Sequence, residues 1–279
     1  MIVIYIMILA GIFGAIGQYL DKYLVNKGIT RNDYFYYMCL TMIPFSLIMV
    51  IIEYFNNQLR FELNIIAFIL LIVAMFLRYK KQHTIVGCLK YLNPYEDSAY
   101  LTLGIIIAFI IDSILGIEKI DVFSVLSILL TVVGVFAISN SKLKIKNLQK
   151  DLIMRIVTSL LMSYVTHFIL QYWSNAVFLL VMNLLLTIIF SKNYDFKYHI
   201  QQKNIIKWVL IQQLFGFSSL YLSNYLASNS VTLSSYVRPT SIIIVVIIAM
   251  FFKGKERRPN LKQIIGIIFV VIGIFLINK

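Results

Sequence analysis

Two stretches of the chain resemble each other: DSILGIEKIDVFSVLSILLTVVGVFAIS at residues 112–139 and AMFFKGKERRPNLKQIIGIIFVVIGIFLIN at residues 249–278. Each runs from an apolar segment, through a short link with one glutamate (Glu118 or Glu256), into a closing apolar segment. The closing segments carry Gly134 and Gly273 at matching positions. The spacing indicates an internal repeat about half the length of the chain.

The composition around these stretches is that of a membrane protein. Of 279 residues, 60% are hydrophobic and only 13% are charged, whereas a soluble domain carries roughly 25% charged residues. Such a chain has too few polar side chains to cover a soluble globule, and it is too apolar to be disordered. The net charge of +13 would indicate nucleic acid in a soluble protein. Here we expect the bilayer as a partner and no nucleic acid.

Ten apolar runs are candidates for transmembrane helices, since about 20 apolar residues cross the hydrocarbon core. They cover residues 2–20, 34–52, 65–77, 99–115, 122–138, 152–170, 172–190, 205–227, 231–252 and 261–277. The connections are short, so no soluble domain is expected. The predicted fold class is all-α integral membrane, with ten transmembrane helices.

The basic residues predict the orientation of these helices. Of the 25 lysines and arginines, 21 lie in the links that follow helices one, three, five, seven and nine. Because Lys and Arg in short loops are retained in the cytoplasm, these links are predicted to be cytoplasmic and both tails outside. The expected location is the plasma (inner) membrane, as a multi-pass protein.

The repeat unit is predicted to be five helices. Helix one carries Gly14, Gln18 and Lys22 at a four-residue spacing, and helix six carries Ser163, His167 and Gln171 at the same spacing. Residues 1–140 and 141–279 would then be two five-helix repeats. An odd number of helices inverts the second copy, and inverted repeats are typical of secondary transporters with the substrate site at the repeat interface.

Short motifs resemble those of a known family. They are Leu115-Gly116-Ile117-Glu118, Lys253-Gly254-Lys255-Glu256, Cys88-Leu89-Lys90-Tyr91, Asn224-Tyr225-Leu226-Ala227 and Pro239. Together with the ten helices in two halves, they make the chain similar to the drug/metabolite transporter superfamily, of the EamA-like kind. The resemblance implies a ten-helix transporter. It also implies cytoplasmic tails, the opposite of what the basic residues predict.

Ionisable residues inside apolar segments are functional candidates, because a charge is costly in hydrocarbon. Arg238 lies within helix nine, and Asp112 lies near the end of helix four, its repeat mate. We expect the two to form a pair or to share a polar cavity. The alternatives are a structural ion pair, or an arginine that reaches to the interface.

Polar stripes at helical spacing extend the candidate site. They are Gly14, Gln18 and Asp21; Ser159, Ser163, His167 and Gln171; Gln212, Gly216, Ser219 and Ser223; and Ser234, Arg238 and Ser241. They are expected to line an aqueous cavity or, for the small residues, to mediate helix packing. The candidate substrate-binding residues are Arg238, Asp112, Gln18, His167, Gln212 and Ser234. The basic run 78–83 is interpreted as a cytoplasmic interfacial patch, which could also border the cavity.

The chain has no catalytic signature. Cys39 and Cys88 have no metal-type or disulfide spacing, the three histidines are dispersed, and no nucleotide-loop, GxSxG or HExxH motif is present. No enzyme activity, cofactor or metal is expected. The predicted function is secondary transport of a small neutral, zwitterionic or anionic metabolite. The alternative is a flippase for a phosphate-bearing lipid or lipid-linked sugar. Substrate identity and oligomeric state are left open.

Overall fold

The computed structural model describes residues 2–92, 94–139, 150–251 and 261–277, and within them the chain is almost entirely helical. The helices are α1 (Ile2–Asn26), α2 (Arg31–Phe55), α3 (Ile65–Leu89), α4 (Pro94–Thr102), α5 (Gly104–Ile114), α6 (Val122–Ser139), α7 (Lys150–Ile169), α8 (Asn175–Phe190), α9 (Phe196–Gln201), α10 (Lys203–Asn229), α11 (Val231–Ser235), α12 (Val237–Phe251) and α13 (Leu261–Leu276). A 3₁₀ turn, Ser191–Asn193, follows α8. The described residues contain no strand, and a single antiparallel bridge joins Phe61 to Trp173.

The described helices have the length and surface of membrane spans. Six segments are long and apolar enough to cross a bilayer, and α6 and α13 are shorter apolar helices. Large apolar side chains, among them Phe55, Ile65 and Val122, lie exposed on the outer faces. A soluble monomer rarely exposes so much contiguous apolar surface, whereas lipid chains cover it without cost. The prediction of an all-helical membrane protein is confirmed.

Helix α3 differs from its predicted boundary. The apolar run of this helix ends at residue 77, before the basic run 78–83, and the sequence leaves open whether residues 84–93 extend the helix or lie along the interface. The helix continues without a break to Leu89. At 25 residues it is about 37 Å long. The charged run is accommodated because its long side chains turn inward: Arg78 and Gln82 are buried. For these two side chains the interpretation as an interfacial patch is wrong, and the alternative, that the run borders an interior cavity, applies to them.

Two of the predicted spans are interrupted at a single residue, whose backbone stays in the helical region. The fourth span begins earlier than predicted, at Pro94, and is interrupted between α4 and α5. The ninth is interrupted at Tyr236, between α11 and α12.

The turn after α5 contains Gly116 with φ of +71°, a backbone conformation that glycine adopts without strain. The matching motif 253–256, with Glu256, lies outside the described residues.

The helices that end the two halves of the chain pack closely together. A Cβ atom added to Gly134 of α6 would lie 2.6 Å from the carbonyl oxygen of Gly266 in α13, and a Cβ added to Gly266 would lie 2.6 Å from the carbonyl oxygen of Gly134. Small residues allow such close backbone contact. In lipid the hydrophobic effect does not drive helices together, so close van der Waals packing of this kind is a main source of their association. Elsewhere α1 packs on α10 and α12, α3 on α7, and α2 on α8.

Candidate functional site

A polar cavity of about 180 Å³ lies inside the bundle. Its walls come from helices of both halves of the chain: α1 to α5 on one side of the sequence, and α7, α10, α11 and α12 on the other. The volume is below the roughly 300–1,000 Å³ of pockets for drug-sized ligands. The cavity therefore fits a small ligand or one chemical group of a larger one.

Helix α3 contributes two cations to this cavity. Arg78 and Lys81 are three residues apart, which places them on the same side of the helix, and both line the cavity together with Gln82. The Arg78 Nη2 atom lies 3.0 Å from Sδ of Met42, and its Nε has no hydrogen-bond partner among the described residues. These residues were expected first as an interfacial patch and only alternatively at the cavity, and the structure supports the alternative for Arg78, Lys81 and Gln82.

Arg238 of α12 is the third cation of the cavity. Within the described ranges it forms no ion pair and no hydrogen bond, although those ranges contain one buried ion pair, Arg155 with Asp97. The side chain is partly buried. Arg238 lies in the first turn of α12, and its side chain reaches the cavity from the second half of the chain.

One carboxylate and several amides complete the lining. Asp21 of α1 accepts a hydrogen bond from the Tyr34 hydroxyl at 2.7 Å, and both residues line the cavity. Gln18, one turn earlier, accepts from Ser98 at 2.7 Å, while its Nε2 has no partner in the described part of the chain. Three cations thus face one carboxylate, and the amides offer free hydrogen-bonding atoms.

A buried ion pair lies next to this charge cluster. Arg155 Nη2 of α7 and Asp97 Oδ2 of α4 are 2.7 Å apart, with side chains 4% and 1% exposed. Asp97 lies outside the predicted fourth span, which begins at residue 99. A proline followed by acidic residues, as in Pro94, Glu96 and Asp97, is typical of a first helical turn, and this signal could have extended the helix.

The six predicted site residues divide into two groups. Arg238, Gln18, Gln212 and Ser234 line the cavity, whereas Asp112 and His167 are not part of its lining. Of the four polar stripes, those of α1, of α10 and of α11 with α12 line the cavity throughout, and that of α7 contributes Ser159 and Ser163.

Asp112 is fully occupied by other contacts. Its Oδ1 accepts from the Tyr164 hydroxyl at 2.8 Å. Its Oδ2 accepts from the Ser230 hydroxyl at 3.0 Å and from the Thr232 amide and hydroxyl, each at 2.8 Å. These bonds satisfy a buried carboxylate without a cation. The prediction that Asp112 pairs with Arg238 or shares its cavity is therefore wrong.

His167 also makes a contact between helices instead of facing the cavity. Its Nδ1 lies 2.7 Å from the Ala227 carbonyl oxygen, which joins α7 to the end of α10. Helix carbonyls near a C-terminus lack partners within the helix, so an imidazole N–H is a suitable donor. Across the described ranges, no three His, Cys, Asp or Glu side chains are close enough to hold a metal ion.

Comparison with known proteins leaves the family open. No protein-family model matches the chain, and no curated protein is significantly similar to it. The similarity to the EamA-like drug/metabolite transporters therefore stays a prediction from the short motifs.

Proposed function

We propose that this chain is a secondary transporter that moves a small metabolite across the membrane by alternating access. The observation that carries the proposal is the polar cavity, which both halves of an otherwise apolar helical bundle enclose. A binding site between two halves of a bundle is the arrangement that alternating access requires, since rocking one half against the other opens the site to each side in turn.

We further propose that residues 1–140 and 141–279 form two inverted five-helix repeats of ten spans, as in the EamA-like transporters. The helix contacts support this. If spans one to five correspond to spans six to ten, the α1–α10 contact has its equivalent in α7–α3, and the α2–α8 and α6–α13 contacts are their own equivalents. The one-residue interruptions at Leu103 and Tyr236 also fall in the fourth and ninth spans, which are equivalent in such a repeat.

The basic links support a multi-pass orientation in the plasma (inner) membrane with these links in the cytoplasm. In this orientation the ends of α1, α3 and α8 and the beginnings of α2, α7 and α10 lie on the cytoplasmic side. Cavity residues lie along the middle parts of long helices, such as Gly14 to Asp21 of α1 and Gln212 to Ser223 of α10. This is expected for a site near the midplane of the membrane.

The test is transport by the purified protein in vesicles against a panel of labelled neutral, zwitterionic and anionic metabolites. Ser163→Trp fills the cavity from α7 and should abolish transport of any accepted substrate. Val157→Trp adds the same bulk to an outward position of the same helix and should leave transport intact. Equal transport by the two variants would refute the role of the cavity.

The flippase remains the competing function because phosphate headgroups would also meet the cavity cations. Translocation of a fluorescent phosphate-bearing lipid in the same vesicles, without transport of any soluble metabolite, would replace the carrier with the flippase.

A further inference from the structure

The charges of the cavity are not balanced. Arg78, Lys81 and Arg238 line it, and Asp21 is the one lining carboxylate among the described residues. The nearby carboxylate of Asp97 contacts Arg155 instead. The lining therefore carries an excess of two positive charges when these side chains are ionised.

Two of the three cations have no hydrogen-bond or ion-pair partner among the described residues. The structure gives neither the Lys81 ammonium nor the Arg238 guanidinium a hydrogen bond or an ion pair within the described ranges, while Arg78 contacts Met42 and Arg155 contacts Asp97. Lys81 also lies within the electrostatic reach of Arg238 and Arg78, so the three charges repel each other. Like charges close together in a partly buried site without a counter-charge are unfavourable, and an anion in the cavity would relieve this.

Two buried amides point to a ligand as well. Gln18 is 6% exposed and Gln82 is 2% exposed, and both line the cavity. The Gln18 Nε2 donor and the Gln82 Oε1 acceptor have no hydrogen-bond partner in the described structure. Because buried polar atoms are nearly always paired, these two atoms are available to a bound molecule.

We propose that the cavity binds an anion, a phosphate or carboxylate group held between Lys81 of α3 and Arg238 of α12, with Gln18 and Gln82 contacting the rest of the ligand. The guanidinium group of Arg238 can donate two parallel hydrogen bonds to two oxygens of such a group. The Lys81 ammonium can add a third charged hydrogen bond to one of its oxygens. The proposal rests on the proposed function, in that it takes the cavity as the substrate site, and it narrows the substrate class to organic anions.

Each half of the chain would supply one cation to the same anion, Lys81 from the first half and Arg238 from the second. The bound anion would then bridge the two halves, and without it their like charges repel. The ligand could be a soluble phosphorylated or carboxylated metabolite, or the headgroup of an anionic lipid, since both present the same chemistry.

Binding is measured without transport, by the ligand-induced rise in the thermal unfolding temperature of the purified protein in neutral detergent. The probes are inorganic phosphate, glycerol 3-phosphate and succinate, with glycerol and choline as neutral and cationic controls. We expect the anions to raise the unfolding temperature at matched ionic strength and the controls to leave it unchanged. The anion site would be overturned if only choline or glycerol raised the unfolding temperature. It would also be overturned if neither the soluble anions nor an anionic lipid raised it.

The variants assign the binding to the two cations. Lys81→Gln and Arg238→Gln should each weaken anion binding about tenfold or more, the loss of one charge-assisted contact. Lys81→Arg should retain binding because it keeps the charge. Lys192→Gln removes an exposed cation outside the cavity and should bind as the unmodified protein does. Because each glutamine variant removes one of the repelling charges, its unfolding temperature without ligand should not be lower than that of the unmodified protein. A lower value would identify a folding defect. Unchanged affinity in both glutamine variants would overturn the assignment.

A lipid arm distinguishes the two sources of the anion. Nanodiscs of phosphatidylcholine alone are compared with nanodiscs that also contain phosphatidic acid. Phosphatidic acid could raise the unfolding temperature, Lys81→Gln could abolish this rise, and the soluble anions could have no effect. This result would support the anion site and refute the metabolite carrier. If the protein transported a neutral or cationic metabolite and Ser163→Trp blocked that transport, the proposed transport function would stand and the anion site would be refuted.

Discussion

Loss of the buried ion pair between Asp97 and Arg155 should destabilise the protein far more than loss of an equally short pair at the surface. The surface pair is Arg31 with Asp151, on the same helix α7 as Arg155. Both pairs have an N···O distance of 2.7 Å. The side chains of the first are 4% and 1% exposed, and those of the second are 42% and 30% exposed. The two pairs therefore have the same N···O distance and differ in how far their side chains are buried.

The expected magnitude follows from what remains after one partner is removed. At 2.7 Å, the attraction is about 6 kcal/mol with an effective dielectric constant of 20, and the desolvation of both groups offsets much of it. Arg155→Met leaves the Asp97 carboxylate buried, and neither of its oxygens has a hydrogen-bond donor in the described structure. Such an unpaired buried charge costs about 3–5 kcal/mol. Arg31→Met should cost about 0–1 kcal/mol.

Thermal unfolding of the variants in detergent measures the difference. At about 2–4 °C per kcal/mol, Arg155→Met should lower the unfolding temperature by about 6–20 °C, and Arg31→Met by no more than about 4 °C. The double variant Asp97→Leu/Arg155→Met should recover most of the loss, because apolar side chains of similar volume replace a buried pair well. If Arg155→Met were as stable as Arg31→Met, the assignment of this pair to a dry interior would be wrong.

Three further predictions concern packing, a polar network and orientation. Gly266→Ala should destabilise by about 1–3 kcal/mol, because the added Cβ meets the Gly134 carbonyl, whereas Gly104→Ala, with nothing within 4 Å, should unfold at the same or a higher temperature. Glu53→Gln should lower stability by about 1.5–3 kcal/mol, because Glu53 accepts from the Ser174 and Tyr221 hydroxyls and the Ala176 amide. The control Glu62→Gln changes an exposed side chain and should be neutral. In whole cells, an impermeant maleimide should label a cysteine introduced between α5 and α6 but not one in the 3₁₀ turn after α8, and the reverse result would invert the orientation.

The class of protein and part of the cavity could be predicted from sequence because they depend on local patterns. Apolar runs long enough to cross hydrocarbon identify helices whatever they pack against. The stripe of Gln212, Gly216, Ser219 and Ser223 repeats at helical spacing, so one face of α10 had to be polar, and that face lines the cavity. Arg238 was recognisable for a similar reason, since a lone charge in an apolar run must face protein or a cavity.

The partners of charged groups were decided only by the tertiary structure. Arg78 and Lys81 resemble a helix end in sequence, yet α3 continues through them because the bundle offers their side chains an interior polar space. Asp112 was expected to need a cation, but hydroxyls of α7 and α11 satisfy it. Asp97 and Arg155 meet across distant parts of the chain. A sequence determines which side chains are costly to bury; which groups compensate them depends on how the helices pack, and that is a property of the folded molecule.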